Sequence, residues 1–299
     1  MLVALTGASG FVGTHTAEAL HRAGHDVRAL VRPQSRRDHL EPFVAEWCVG
    51  DQADPQVQAA LVRGAEVVIH NACDWNALEL APVRNFESNV LGSLRLLEAS
   101  RQAGAEQFLF VSSVSVYHEI LHDRPLDEAH PTWPNTLYGA YKAAVESHLK
   151  AYHFAYGVNT SSWRPAAIYG IPPDPRQAQW GELIRTARDG GTVETAQGGK
   201  ITHVRDVADA LTLAVGDDAV AGQFYNLVDC YMYWQVAAEL ARELSGSSAT
   251  IVDRKGHGPR NQFDTRKAIE FFTRHCNATA LRRGINGVRE YIRELLGML

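Results

Sequence analysis

Apolar positions along the chain fall into two periods. Residues 2–6, 26–31, 45–49, 66–70 and 107–112 are short runs in which apolar residues outnumber polar ones, and they read as strands. Between them run longer stretches with apolar residues at helical spacing, at about 11–23, after Asp54-Pro55, and at about 82–103. Asp54 and Pro55 suit the N-cap and first position of a helix, and Gly24 suits the residue just past one. A long helical pattern opens at Tyr138, and strands are predicted again at 158–163 and 223–227. This alternation predicts an α/β fold: a doubly wound, mostly parallel sheet. A helix at about 177–188, and a mostly helical stretch from Trp234 ending in a helix over 278–296, predict a smaller, mainly helical C-terminal part. The rigid Ile171-Pro172-Pro173-Asp174-Pro175 lies between the two.

The turn after the first strand carries candidate chemistry. Gly7, Gly10 and Gly13 stand at G-x-x-G-x-x-G in Gly7-Ala8-Ser9-Gly10-Phe11-Val12-Gly13, between a strand and a helix N-terminus. Glycines let a pyrophosphate approach the backbone, and the helix dipole favours the anion. A tight strand-to-helix connection is the plainer account, but the position after the first strand favours dinucleotide binding. The second strand ends at Arg32, with Arg36 and Arg37 following, where NAD-binding folds often place an acid for the ribose 2′-hydroxyl. Cations without that acid suit a 2′-phosphate, so NADP is expected, with NAD the alternative. Asp51 suits either a helix cap or the adenine. The small residues of Asn71-Ala72-Cys73 leave room for a cofactor beside the backbone.

A second constellation lies further on. Val111-Ser112-Ser113-Val114-Ser115 brings serine to a strand end, and Tyr138 and Lys142, four apart, share a helix face. A phenol ionises near pH 10, a neighbouring ammonium lowers that value, and a serine hydroxyl can bond the same substrate oxygen. Together they predict a proton relay for an alcohol–carbonyl pair. Tyr141, next to Lys142, is expected to project elsewhere.

These motifs resemble the extended short-chain dehydrogenase/reductase family, also called the NAD-dependent epimerase/dehydratase family. The matching residues are Thr6 to Gly13, Gly50-Asp51, Asn89-Val90-Leu91-Gly92, Ser112 to Tyr117, Tyr138 to Lys142, Arg164-Pro165 through Tyr169-Gly170, and His203 to Ala208. The resemblance implies a Rossmann sheet, a nicotinamide cofactor, usually a homodimer, and Ser113, Tyr138 and Lys142 as catalytic residues. Ser113 is chosen because the family's serine lies four before the tyrosine at strand end, here Tyr117. The cofactor is expected along Gly7, Ser9, Gly10, Phe11, Val12, Gly13, Arg32, Arg37, Asp51, Gln52, Asn71, Ala72, Cys73, Asn89, Ser112, Tyr138, Lys142 and Pro165. Residues 1–170 plus about 198–229 would form the dinucleotide-binding domain, and about 171–197 plus 230–299 the substrate-binding part.

Departures from the family pattern bear on substrate. Members acting on nucleotide sugars commonly carry an asparagine after the Arg-Pro pair and an arginine four residues before the histidine matching His203. Here stand Ala166, Ala167 and Gly199, with Lys200 beside it. With Arg32, this pattern is similar to the dihydroflavonol-reductase-like branch, which reduces small carbonyl compounds. The expected function is an NAD(P)-dependent oxidoreductase, and the alternative is a nucleotide-sugar epimerase or dehydratase with tightly bound NAD. A binding module without turnover is disfavoured by the complete relay. Trp75, Trp133, Trp180, Tyr231, Tyr233 and Trp234 could wall the pocket, though packing is the simpler account of any one.

Composition narrows the picture a little further. The 299 residues are 45% hydrophobic with a net charge of −5, so nothing global points to a nucleic-acid or membrane partner. Cys48, Cys73, Cys230 and Cys276 form no C-x-x-C pair and suit reduced thiols in a cytoplasmic protein. The apolar start has no basic region before it and reads as a strand rather than a signal peptide. His118-Glu119-Ile120-Leu121-His122 matches the zinc-protease signature H-E-x-x-H, but it leads into loop residues Asp123-Arg124-Pro125 where that chemistry needs a helix. No metal is expected.

Overall fold

The computed structural model describes residues 1–253 and 262–299. In chain order the strands are β1 (Leu2–Thr6), β2 (Asp26–Val31), β3 (Glu46–Val49), β4 (Val67–His70), β5 (Gln107–Val111), β6 (Asn159–Pro165), β7 (Ala167–Tyr169), β8 (Thr192–Thr195), β9 (Gly198–His203), β10 (Phe224–Leu227), β11 (Cys230–Tyr233) and β12 (Thr250–Asp253). The seven runs read as strands from the sequence form one sheet, in the order β10-β6-β5-β4-β1-β2-β3. Every neighbouring pair in it is parallel.

Side chains alternate across this sheet, and burial on both faces explains why its central strands β1, β4 and β5 read as nearly continuous apolar runs. Val3, Leu5, Val27, Ala29, Val67, Ile69 and Leu109 pack on one face, against helices Phe11–Arg22, Val204–Ala214 and Arg266–Arg274. Ala4, Leu30, Val68, Phe108 and Phe110 pack on the other, against helices Pro55–Val62, Gly92–Gln102 and Leu137–Tyr156. From β1 the chain builds outward through β2 and β3, then returns to place β4 on the other side of β1. The crevice beyond the carboxyl ends of β1 and β4 is therefore the topological switch point, where ligands of such sheets bind.

The helical stretch predicted at 82–103 is continuous but not uniform. It runs as helix Pro82–Asn85, a π-turn over Phe86–Leu91 and helix Gly92–Gln102, after a further helix, Trp75–Leu80. A continuous apolar pattern does not reveal a one-residue insertion of this kind. Helix Leu137–Tyr156 is bounded as its sequence dictates: Thr136 Oγ1 accepts the Gly139 amide at 3.0 Å, and Gly157 closes it at φ 70°.

The C-terminal part contains helices Gly181–Arg188, Gln235–Ser245 and Gly284–Leu296, and also two small sheets. β9 lies between β7, parallel to it, and β11, antiparallel to it, and β8 pairs with β12. Its core gathers Tyr169, Trp180, Ile184, Val193, Ile201, Met232 and Ile292. Thus β7 and β9, assigned to the dinucleotide-binding segments from sequence, pair within this second sheet, whereas helix Arg266–Arg274 packs Phe271 against Trp163 and Tyr225 of the main sheet. No helix among the described residues is long and apolar enough to cross a membrane.

Candidate active site

The three glycines of the first turn serve three different needs. Gly7 has φ 69°, and a Cβ there would stand 2.9 Å from the Ala72 backbone. Gly10 is the N-cap of helix Phe11–Arg22, and a Cβ on it would meet only the Gly7 carbonyl, at 3.3 Å. Gly13 faces inward, where a Cβ would overlap that same carbonyl, so helix and turn touch through it. The helix N-terminus opens into a cleft of about 660 Å³ at the switch point. Its unpaired N–H groups and dipole are suited to an anion.

The opposite lip, residues 71–74, is held by a buried hydrogen-bond chain. Thr6 Oγ1 accepts the amides of Asn71 and Ala72, both at 3.1 Å, and meets His70 Nδ1 at 2.8 Å. His70 Nε2 lies 2.7 Å from Ser93 Oγ, which donates to the Asn89 carbonyl at 2.5 Å. With Ser93 donating onward, Nε2 carries the proton and Nδ1 accepts from Thr6. Burial, aided by the Lys142 cation, lowers His70 to about 3, so it stays neutral. Asn89 then clamps Asp74: its Oδ1 accepts the Asp74 amide at 2.7 Å and its Nδ2 donates to the Asp74 carbonyl at 3.0 Å. Sequence reasoning missed Thr6, His70 and Ser93, because a histidine ending a strand carries no periodic signal.

Ser113, Tyr138 and Lys142 all line the inner end of the cleft. Ser113 ends β5 as the cap of a 3₁₀ turn, where its Oγ accepts the Ser115 amide at 3.1 Å. Lys142 Nζ donates to the Val111 carbonyl at 2.6 Å and sits 4.6 Å from the Phe110 ring centroid and 5.6 Å from that of Tyr138. Burial lowers its ammonium to about 8, against the raising effects of Cys73 and Glu146. Burial also pushes the Tyr138 phenol well above its usual value; the Cys73 thiol adds to the rise and the Ser113 hydroxyl opposes it. The phenol therefore rises where the sequence predicted a lowering by lysine, and Tyr138 holds its proton at neutral pH. A protonated phenol beside a serine hydroxyl can donate to a carbonyl oxygen.

Tyr141 departs from its expected place. It is 1% exposed, and its hydroxyl lies 3.4 Å from both the Ala72 carbonyl and Lys142 Nζ. The helix bends neither residue away: Lys142 folds back along β5, and this brings the ammonium over the neighbouring tyrosine.

At the other end, Arg32, Gln34, Ser35, Asp51 and Gln52 line the cleft. Asp51 Oδ1 caps its own turn by accepting the Ala53 amide at 2.8 Å. Gly7, Ser9, Gly10, Phe11, Val12, Asn71, Ala72, Cys73, Ser112 and Pro165 complete the expected lining. Three expected residues lie outside it. Gly13 packs beneath the turn, Asn89 is buried behind Asp74, and Arg37 stands 5.8 Å from the Trp47 ring centroid with Nη2 on the Pro33 carbonyl. Asn76, Arg84, Ala166 and Ile168 join the lining, and so does Trp75, alone among the six aromatic residues considered from sequence. Ser112 Oγ and Gln52 Oε1 are buried with no hydrogen-bond partner among the described residues. Two orphaned polar atoms and a glycine cradle in one cleft fit a dinucleotide. The His118–His122 stretch is a loop with no helix to align its imidazoles, and no cluster of three metal-ligating side chains occurs among the described residues.

Comparison with known proteins agrees with this geometry. Residues 3–227 match the NAD dependent epimerase/dehydratase family. A Methanocaldococcus jannaschii protein provisionally named UDP-glucose 4-epimerase is 30% identical over 58% of this chain and 58% of its own length. A Synechocystis protein provisionally named dihydroflavonol 4-reductase is 31% identical over 70% of this chain and 62% of its own length. The chain thus spans about three fifths of those two curated relatives. The Thermus thermophilus UDP-glucose 4-epimerase, solved in complex with NAD, superposes with a TM-score of 0.80 at 25% identity, covering 100% of both chains. The motifs, the parallel sheet and the match over three quarters of the sequence agree, and the chain belongs to the NAD-dependent epimerase/dehydratase family of extended short-chain dehydrogenases/reductases.

Proposed function

We propose that this protein is an NADP-dependent oxidoreductase that reduces a small carbonyl compound to its alcohol. The observation that carries the reading is one cleft joining Arg32 at one end to Ser113, Tyr138 and Lys142 at the other. When bound, the dinucleotide supplies the hydride. Gly7, Gly10 and the helix N-terminus receive its pyrophosphate, and Arg32, exposed at the end of β2, receives the 2′-phosphate. Ser113 Oγ orients the substrate oxygen, the Tyr138 phenol gives it a proton and later regains one from solvent, and Lys142 Nζ holds the ribose and offsets the negative charge of the phenolate.

A nucleotide-sugar epimerase or dehydratase is the second reading, favoured by the structural likeness to an epimerase holding NAD. Against it stands Gly199. The resemblance would place an arginine for the diphosphate at this position; glycine has no side chain to offer one, and a Cβ there would already come 3.2 Å from the Trp234 ring.

The test is cofactor choice. A charge-assisted bond to phosphate contributes about 1.5–3 kcal/mol, or roughly 10- to 100-fold in affinity. NADPH should therefore bind wild type more tightly than NADH, and Arg32→Ala should remove that preference by weakening NADPH alone. Equal wild-type dissociation constants, or tightly retained NAD in the purified protein, would overturn the NADP assignment.

A further inference from the structure

Trp75 is an unusual neighbour for a proton donor. Its indole stacks on the Tyr138 ring, with centroids 5.0 Å apart and planes at 22°. It is nevertheless 61% exposed, and it lines the cleft. A large apolar ring left this open is costly unless something covers it. Its backbone is not free to retract. Asp74, the residue before it, is clamped by both polar atoms of the Asn89 carboxamide, and the Asp74 side chain caps the helix that Trp75 begins, accepting from the Ala77 amide at 3.2 Å and from Ser88 Oγ at 2.9 Å. The indole is thus presented on a fixed base, one face on the phenol ring and the other open. Ala166 and Ile168, also in the lining, add apolar surface, and Asn76 and Arg84 add polar groups to the same cleft.

We propose that Trp75 is the specificity-determining residue of the substrate end: its open indole face, held by the Asn89–Asp74 clamp, seats a flat, conjugated carbonyl compound beside the Tyr138 hydroxyl. This rests on the oxidoreductase reading for its chemistry, but the seat itself is a matter of binding. Flat π-systems stack on indole, whereas a puckered saturated ring of the same size meets it along an edge and gains less. The bound ring would also keep water from the Tyr138 stack, which aids proton transfer.

The probes are acetophenone and cyclohexyl methyl ketone, which share a carbon skeleton and differ in flatness. Their binding to the full chain saturated with NADP⁺, which has no hydride to give a ketone, is measured by calorimetry, so that no turnover occurs. Acetophenone should bind wild type about 10-fold more tightly than its saturated counterpart. Trp75→Ala should abolish the difference by weakening acetophenone alone, and Trp75→Phe should keep most of it. Because the side chain is exposed, all three proteins should melt together, and a calorimetric check of NADPH affinity confirms an intact cofactor site. Equal binding of the two ketones to wild type, or an undiminished preference in Trp75→Ala, overturns the inference. A preserved binding preference with no reduction of either ketone would leave the seat standing and sink the oxidoreductase reading instead.

Discussion

Lys142 is buried against Phe110 and Tyr141, and desolvation brings its ammonium from 10.5 down to about 8. Two consequences follow from the sign of that shift. Between about pH 8 and 10.5 the unfolded chain binds the proton more readily than the folded one, so this group makes the cofactor-free protein more stable as pH rises through the window. Above about pH 8 the cation that should hold the ribose is lost. Cofactor affinity, measured from pH 6.5 to 9.5, should therefore weaken above pH 8 in wild type and run flat, and weaker throughout, in Lys142→Met. In the same experiments Tyr138→Phe should bind cofactor normally while hydride transfer at saturation falls by about 10²–10⁴, the usual worth of placed acid–base catalysis. Wild-type transfer in that variant would dismiss the relay. Tyr141→Phe should shift the pH dependence of cofactor binding, since the Tyr141 hydroxyl touches Lys142. At this scale sequence spacing put Tyr138 and Lys142 on one face. It could not show that a buried lysine would reach back to the Val111 carbonyl, because that depends on strand and helix lying side by side.

Among the elements, the glycine turn was legible and its division of labour was not. G-x-x-G-x-x-G announces a close approach, but only the packed structure shows which glycine faces the cleft and which faces the helix. That distinction can be measured. A Cβ at position 13 collides with the Gly7 carbonyl, so Gly13→Ala must push the helix off its turn, lowering the melting temperature and cofactor affinity together. A Cβ at position 10 meets one atom at 3.3 Å and otherwise projects into the cleft. Gly10→Ala should fold with nearly wild-type melting while binding NADPH at least about 10-fold more weakly, because the methyl takes space the pyrophosphate needs. Equal loss of stability in both variants would show that the two glycines share one packing role. Helix Leu137–Tyr156 carries a similar hidden constraint. Glu146, one turn beyond Lys142, forms a buried two-point pair with Arg164 of β6, at 2.7 Å to each oxygen, and Ser162 Oγ donates to it as well. Breaking such a pair costs far more than the pair contributes, so it fixes the register of the helix against the sheet. The sequence shows Arg164 before a proline and gives no hint of its partner eighteen residues earlier.

For the whole molecule, the parallel sheet was readable chiefly from β1, β2, β4 and β5, which are covered on both faces and mostly apolar, whereas buried β6 is mostly Thr, Ser and Arg around Trp163. The second part read as helical because its strands are three to six residues long and mix glycine and polar side chains with apolar ones, as in Gly198–His203. Its fold depends on pairing partners far apart in sequence, β7 with β9 and β8 with β12. Assembly is the remaining question at this scale, and the family resemblance implies a homodimer through the helices that contain Asn89 and Tyr138. On those segments Val83 and Phe86 are 69% and 55% exposed, and Leu137, Phe154 and Tyr156 are exposed on the long helix. Apolar side chains of that size normally find cover, and a twofold mate presenting the same two segments would pair them as a four-helix bundle. Light scattering at micromolar concentration should then give twice the chain mass of 32.9 kDa. Phe86→Glu should return monomers, since a buried unpaired carboxylate opposes association far more than one lost ring does. Asn89 sits one turn further along that segment and clamps Asp74, which carries Trp75. The monomeric variant should therefore also lose order at the substrate end, seen as a raised KM with hydride transfer at saturation retained. A monomeric wild type would remove the dimer, and a monomeric Phe86→Glu with unchanged KM would separate assembly from the site.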